Sequence, residues 1–237
     1  MNTLKKLGPA LILGCICIAS CDTKSKNPAT RESQDKAKTK LEDIQKIVAQ
    51  TAQTYKAMDN AALVKKLAEQ SVLKREPFNS LAYRELKDRK DVNSDSLVAL
   101  IRERKNSDAL LPLLLLRRLD ERTYAQLPVD LRANVLTDAL QQSKNFNTWG
   151  LPHLYLEEAS KAILESGQSA FPALKRMLSE TRPAPTFGSK ERMEYLRYKY
   201  RLCDYALFFL KKLQGDTKFV MPLSVEERDS LIREILK

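Results

Sequence analysis

Glycine is scarce, with six in 237 residues. None falls in a G-x-G or P-loop pattern, so the backbone cradles that hold nucleotide phosphates are not written in this chain. Runs that alternate polar and apolar residues are also few. Together the two shortages argue for helices over sheets. Histidine is reduced to one, His153. A Ser-His-Asp triad or a histidine metal cluster needs partners that no spacing here supplies, so His153 reads as structural or surface. Glu157 and Glu158 are adjacent and point to different sides of a helix, which makes a poor carboxylate dyad. No catalytic residue, metal or cofactor is therefore assigned.

What the chain does have is positive charge: 41 basic against 30 acidic residues, or +11, with an isoelectric point near 9.4. Such a balance suits an acidic partner surface such as anionic lipid or nucleic acid. The basic pairs Lys65/Lys66, Arg117/Arg118 and Lys211/Lys212 are nevertheless scattered and interleaved with acids. That is the pattern of a solvated basic surface rather than of a clustered footprint. With 43% hydrophobic and 30% charged residues, the length suits one or two small domains.

Three of the four cysteines crowd into the first 21 residues, MNTLKKLGPALILGCICIASC. Lys5 and Lys6 make a positive start, and Leu7 to Ile18 is an apolar core of about a dozen residues, the length of a secretion signal. It is shorter than the roughly 20 apolar residues needed to span a bilayer. The segment closes on Ile18-Ala19-Ser20-Cys21, an aliphatic residue, two small ones and a cysteine. This resembles the lipobox of bacterial lipoproteins. The resemblance implies that the Cys21 thiol is diacylglycerylated, that the signal (1–20) is cut before it, and that the new amine is usually acylated. Ile12-Leu13-Gly14-Cys15 is a poorer match, because Leu13 is large and the apolar core would be cut short. In the enterobacterial sorting rule, which varies between bacterial groups, an aspartate in the place of Asp22 keeps a lipoprotein in the inner membrane.

Acyl chains on Cys21 would hold the protein to a membrane, since several chains anchor stably where one is marginal. Cleavage removes Cys15 and Cys17 and modification consumes Cys21, leaving Cys203 as the only thiol. An intramolecular disulfide and a cysteine zinc site are then excluded, and Cys203, among aromatics, reads as a buried small hydrophobe. Loss of Lys5 and Lys6, with no acidic residue, brings the charge to +9. Export speaks against nucleic acid as the partner. From 21 to 33 the polar stretch after the cysteine reads as a flexible tether, with a reach of about 20 Å.

An N-terminal helical region is expected over 34–92 and a second helical domain over 93–237. Leu41, Ile44, Val48, Thr51, Tyr55 and Met58 recur at spacings of three and four, predicting a helix from Ser33 to Met58. The stripe runs under three heptads, so packing on its own domain is expected rather than a coiled coil. Asp59 or Asn60 caps a helix through Leu73, and Asn79 to Lys90 is a third. Ser94 opens a short helix, Asp108 one with Pro112 in its first turn, and Pro128 one reaching Ser143. Pro152 reads as the first residue of a helix that stops at Gly167, placing His153 in its first turn. Ser169 opens the next, to about Ser179. After the loop Glu180 to Ser189, a long helix or broken pair covers Lys190 to Leu213. Ser224-Val225-Glu226-Glu227 has capping-box spacing for a last helix that buries Leu231, Ile232 and Ile235.

The stretch Tyr198 to Leu213 is apolar on nearly every side and is expected at the centre of the fold. Its only interior charges, Arg201 and Asp204, read as a buried ion pair or contacts to a neighbouring helix end that fix register between hairpins, rather than as the alternative, a charged binding site in the concave face of the array. Helices of 10 to 15 residues on short loops suggest stacked antiparallel hairpins. Phe171-Pro172-Ala173-Leu174 with Leu178 resembles the first helix of a HEAT repeat. Tyr200-Arg201, then Asp204, Ala206 and Leu210, resembles its second, over about 45 residues with a lengthened linker at Glu180 to Ser189. The resemblance implies an all-α, HEAT-like array.

Within that linker Pro183, Pro185 and Phe187 form the most plausible contact loop, because prolines lower the entropy of ordering it and an exposed aromatic can anchor an interface. Phe187 folded back onto the core is the equal alternative. These features describe a lipid-anchored, all-helical interaction or scaffold protein on the outer face of a bacterial membrane, with a protein partner. The alternative is an envelope enzyme, a cell-wall polymer hydrolase, with carboxylates from separate helices meeting in a groove.

Overall fold

The structure is a computed structural model and describes residues 28–69 and 80–237, with side chains from residue 37 onward. Twelve α-helices and one two-stranded hairpin make up the described residues, so the all-α class is what is observed. The chain divides into two units, Met1–Val48 and Ala49–Lys237. Cys21 and Asp22 lie outside the described residues.

Helix α1 runs Pro28–Ala57, so residues 28–33 of the expected tether are helical, with proline in the first turn where its missing N–H costs little. In the first unit every described side chain from 37 to 48 is exposed, Leu41, Ile44 and Val48 included. The expectation that this stripe packs on its own domain therefore holds only further along, at Tyr55 and Met58, which lie against the core of the second unit.

In the second unit, α2 (Asn60–Glu69) starts where Asp59 Oδ1 accepts the Ala62 N–H at 2.7 Å. It packs on α3 (Leu81–Leu86). Helix α4 (Ser94–Arg104) is capped by Asn93, one residue before the expected Ser94. It lies along α5 (Leu110–Leu119), in which Leu110 to Leu116 are all buried. A helix buried on every side must be covered by neighbours on every side, and α2, α3, α4 and α7 (Val129–Gln142) supply that cover. The short α6 (Glu121–Gln126) was not legible in the apolar spacing; Asp120 creates it by accepting the Thr123 N–H at 3.0 Å.

The helix expected from Pro152 begins later. Gly150–Leu151 pairs antiparallel with Tyr155–Leu156 as a hairpin, and α8 runs Glu158–Glu165. Gly150 explains the change. Its φ of 78° is the left-handed region, and a Cβ there would meet the Tyr155 carbonyl oxygen at 2.5 Å. Only glycine closes the strands this tightly. His153 accordingly sits in the hairpin turn, not in a helix.

Helix α9 (Phe171–Met177) is followed by the Glu180–Ser189 loop, α10 (Ser189–Tyr198) and α11 (Leu202–Leu213). The expected Lys190–Leu213 segment is thus a broken pair, interrupted at Lys199 with φ 51°. Leu202 to Leu210 are buried without exception, and α11 packs on α8, α9 and α12 (Val225–Leu236). The central position expected for this stretch is the one observed. The apolar core includes Leu63 on α2 and Ile232 on α12.

Candidate interaction surface

The loop that joins α9 to α10 is held on both sides by backbone hydrogen bonds. Leu202 donates to Arg182 O at 3.0 Å, Cys203 to Glu180 O at 2.9 Å and Ala184 to Tyr200 O at 2.8 Å. On the other edge Phe146 donates to Pro185 O at 2.9 Å. The Asn147 side chain clasps residue 187, accepting its N–H at 2.8 Å and donating to its carbonyl at 2.6 Å. Arg182 closes the bottom with hydrogen bonds to the carbonyls of Ser143, at 2.7 Å, and Gln141. Ala184 and Thr186 are buried, Pro183 is exposed and Pro185 half-buried. Phe187 is 51% exposed: it does not fold onto the core.

This braced loop delivers α10. Glu191, Glu194, Tyr195 and Tyr198, spaced three and four apart, form its half-buried face. Tyr155 donates to Glu191 Oε1 at 3.3 Å, and Thr186 donates to Glu191 O at 2.8 Å. Glu194 Oε2 lies 3.0 Å from His153 Nε2, and the Tyr200 hydroxyl lies 2.9 Å from His153 Nδ1. A carboxylate can only accept, so Nε2 carries the proton and neutral Nδ1 accepts from Tyr200. The imidazole also stacks on Tyr198, with ring centroids 4.0 Å apart. Burial is the largest influence on His153 and pushes its pKa down, against the opposing pull of Glu194.

A Glu-His-hydroxyl line of this kind resembles a catalytic relay only on paper. Both ring nitrogens are occupied, and burial drives the Tyr200 phenol well above its ordinary range. Among the described residues the hydroxyl bonded to the histidine is that of buried Tyr200, whereas a triad needs an accessible nucleophile. Cys203 is equally inert, its thiol pushed up to about 12 chiefly by burial and then by the Asp204 charge. Glu157, at the end of the hairpin, is also held above the usual carboxylate range, first by burial, while Lys161 opposes and Glu158 and Glu191 reinforce.

Behind α10, Arg201 and Asp204 meet as the sequence spacing suggests, but at a helix start rather than mid-helix. Asp204 Oδ2 accepts the backbone N–H of Arg201 at 2.8 Å, covering an otherwise unpaired helix-terminal donor. The Arg201 guanidinium binds Asp204 at 2.9 Å and Asp229 at 2.6 Å. Two members, Asp229 and Arg228, were missed. Arg228, fully buried, brings Nε to 3.2 Å from Asp204 Oδ1, too poorly aligned for a hydrogen bond and so an electrostatic contact. Its other nitrogens donate to the carbonyls of Pro222, Leu223 and Tyr198. The signal was available: Arg228 stands four residues before Ile232, on the face read as apolar.

Every exposed residue of α10 other than Ser189 is basic or apolar: Lys190, Arg192, Met193, Leu196 and Arg197, with Lys199 just beyond. Met193 is 67% exposed and Leu196 51%. The outer face thus gathers four cations around two apolar side chains, while both carboxylates turn inward. Among the described residues no group of three His, Cys, Asp or Glu side chains could hold a metal ion, and no helix is long and apolar enough to cross a membrane. No family model, curated protein or solved structure compared with the chain matches it.

Proposed function

We propose that this chain is a membrane-anchored helical lipoprotein of the bacterial cell envelope, serving as a protein-interaction or scaffold module whose helices stack in a HEAT-like manner. The observation that carries it is Ile18-Ala19-Ser20-Cys21, closing a short apolar segment behind Lys5 and Lys6. Acyl chains on Cys21 then hold it to the inner membrane if Asp22 acts as a retention signal. An interaction role draws support from the exposed apolar residues Leu41, Ile44 and Val48 on α1. The closed surroundings of His153 and Cys203 weigh against nucleophilic catalysis. Packing of α9 directly on α11 supports the HEAT-like pairing. Photo-crosslinking from positions 41 and 44 in intact cells tests the role. A specific envelope protein at either position supports it, and a clean membrane fraction with no specific adduct counts against it.

A second reading, an envelope enzyme acting on cell-wall polymer, is favoured by one observation, the raised Glu157 carboxyl beside Glu191. A carboxyl with a raised pKa close to a second carboxyl is the arrangement that general acid catalysis uses. Purified protein that releases no fragments from cell-wall polymer retires it; release abolished by Glu157→Gln revives it.

A further inference from the structure

The charge on α10 is sorted around the helix, and its pattern identifies what the outer face meets. At about 100° per residue, Leu196 and Met193 sit side by side at the middle of the outward face. Arg192 and Lys199 flank them on one side, Arg197 and Lys190 on the other. Lys190, Arg192, Leu196 and Lys199 are exposed; Arg197 is exposed too and reaches over the Tyr198 ring, 5.7 Å from its centroid. Phe187, two residues ahead of the helix, adds an exposed aromatic on backbone clasped by Asn147.

The opposite face holds both carboxylates, each engaged with the body: Glu191 with Tyr155 and Glu194 with His153. The outer face therefore presents four cations and no anion. Those bonds account for the inward carboxylates, but not for an exposed apolar pair bordered on both sides by cations, where a solvated helix is normally served by interleaved charges.

We propose that the outward face of α10, together with Phe187, lies on an anionic phospholipid surface, with Phe187, Met193 and Leu196 entering the headgroup boundary and the four cations meeting lipid phosphates. An apolar strip bordered on both sides by Lys and Arg is the pattern of a helix that rests in a membrane interface. Long basic side chains can keep their charged ends among phosphates while their stems follow the apolar strip inward. An acidic protein patch would satisfy the cations without calling for apolar side chains along the centre line. The inference names the partner of one surface in the membrane-anchored reading and rests on that reading for the protein's place at a bilayer. Protein partners then belong to other surfaces.

The test uses the full chain with Cys21→Ser, which cannot be acylated there, and Phe187→Trp as a reporter. The only native tryptophan, Trp149, is fully buried and supplies a constant background. Vesicles of phosphatidylglycerol mixed with phosphatidylcholine are expected to shift the reporter's emission to the blue and to quench it when the lipid tails are brominated. Phosphatidylcholine alone is expected to leave it unchanged. Added salt reverses the shift, since the attraction is screened. Met193→Ser with Leu196→Ser removes the shift while helix content by circular dichroism is unchanged, and each cation replaced by Gln weakens vesicle binding about fivefold. An unchanged reporter, or an equal response to neutral vesicles, overturns the proposal. So does an equal response to soluble polyglutamate, which assigns the face to an acidic peptide. Fatty-acid labelling of the unmutated chain keeps the two readings apart. An acylated protein with a silent reporter sinks this inference alone, and a responsive reporter on a chain that is never acylated sinks the anchor alone.

Discussion

Glu194 accepts the Nε2–H of His153 at 3.0 Å, tying an otherwise exposed helix to the turn of a hairpin. Either form of the imidazole makes that bond, but only the neutral ring can accept from Tyr200 at Nδ1. Burial, the largest influence, depresses the His153 pKa below its unfolded value, so the unfolded chain binds the proton more readily. The stability contributed by neutral His153 is fully present above about pH 6.5 and is lost as pH falls through the folded value. Protonation also turns Nδ1 into a donor, which Tyr200 can no longer serve as donor. The nearby Arg197 charge adds to the repulsion, and Glu194 moderates it. Thermal melts between about pH 7 and pH 5 should show a fall in midpoint that is smaller in His153→Gln. Equal pH dependence in the two proteins contradicts this.

Asp204 carries two guanidinium groups in the core. Replacing it by alanine leaves Arg228 buried beside no carboxylate and removes the acceptor for the Arg201 N–H. Loss of one partner from a buried pair costs about 3–5 kcal/mol, so Asp204→Ala should approach unfolding in denaturant titrations. A cost under about 1 kcal/mol, the level of an exposed pair, would show that the charges are solvated instead.

Gly150 makes a sharper prediction. With φ at 78° and the Tyr155 carbonyl 2.5 Å from where a Cβ would stand, Gly150→Ala must open the hairpin or strain it. The cost should be about 1–3 kcal/mol, and the same change at Gly167, with positive φ but nothing nearby, should cost less. Chemical denaturation of both variants ranks them.

Phe209, buried on α11, and Phe187, half-exposed on the loop, bracket the fold. Phe209→Ala should cost about 3–5 kcal/mol through lost burial and the cavity left behind. Phe187→Ala should cost under about 1 kcal/mol, as surface changes do. Melting midpoints in the reverse order would place α11 on the outside.

Much of this fold can be read from residue spacing, because helix faces and caps are local. The buried run Leu110 to Leu116, the Ser224 cap and the central place of α11 all follow from period and capping chemistry. The hairpin at Gly150 does not. Pro152 is as good at the start of a helix as in a turn, and the choice falls to tertiary contacts such as the Tyr205 hydroxyl on Gly150 O at 2.7 Å. Likewise the His153, Glu194 and Tyr200 cluster joins residues up to 47 positions apart, beyond any local pattern. The loop around Phe187 was legible as a candidate contact element, with exposure and burial of the side chain equally expected, but not as a braced loop, since its bracing comes from Asn147 and Arg182.

Cys21 carries the proposed membrane anchor, and labelling growing cells with a tagged palmitate tests it directly. The wild-type chain should appear as a shortened, labelled membrane protein beginning at Cys21, and Cys21→Ala should accumulate as an unlabelled, full-length precursor. Label that persists in Cys21→Ala would contradict the assignment and move it to Cys15.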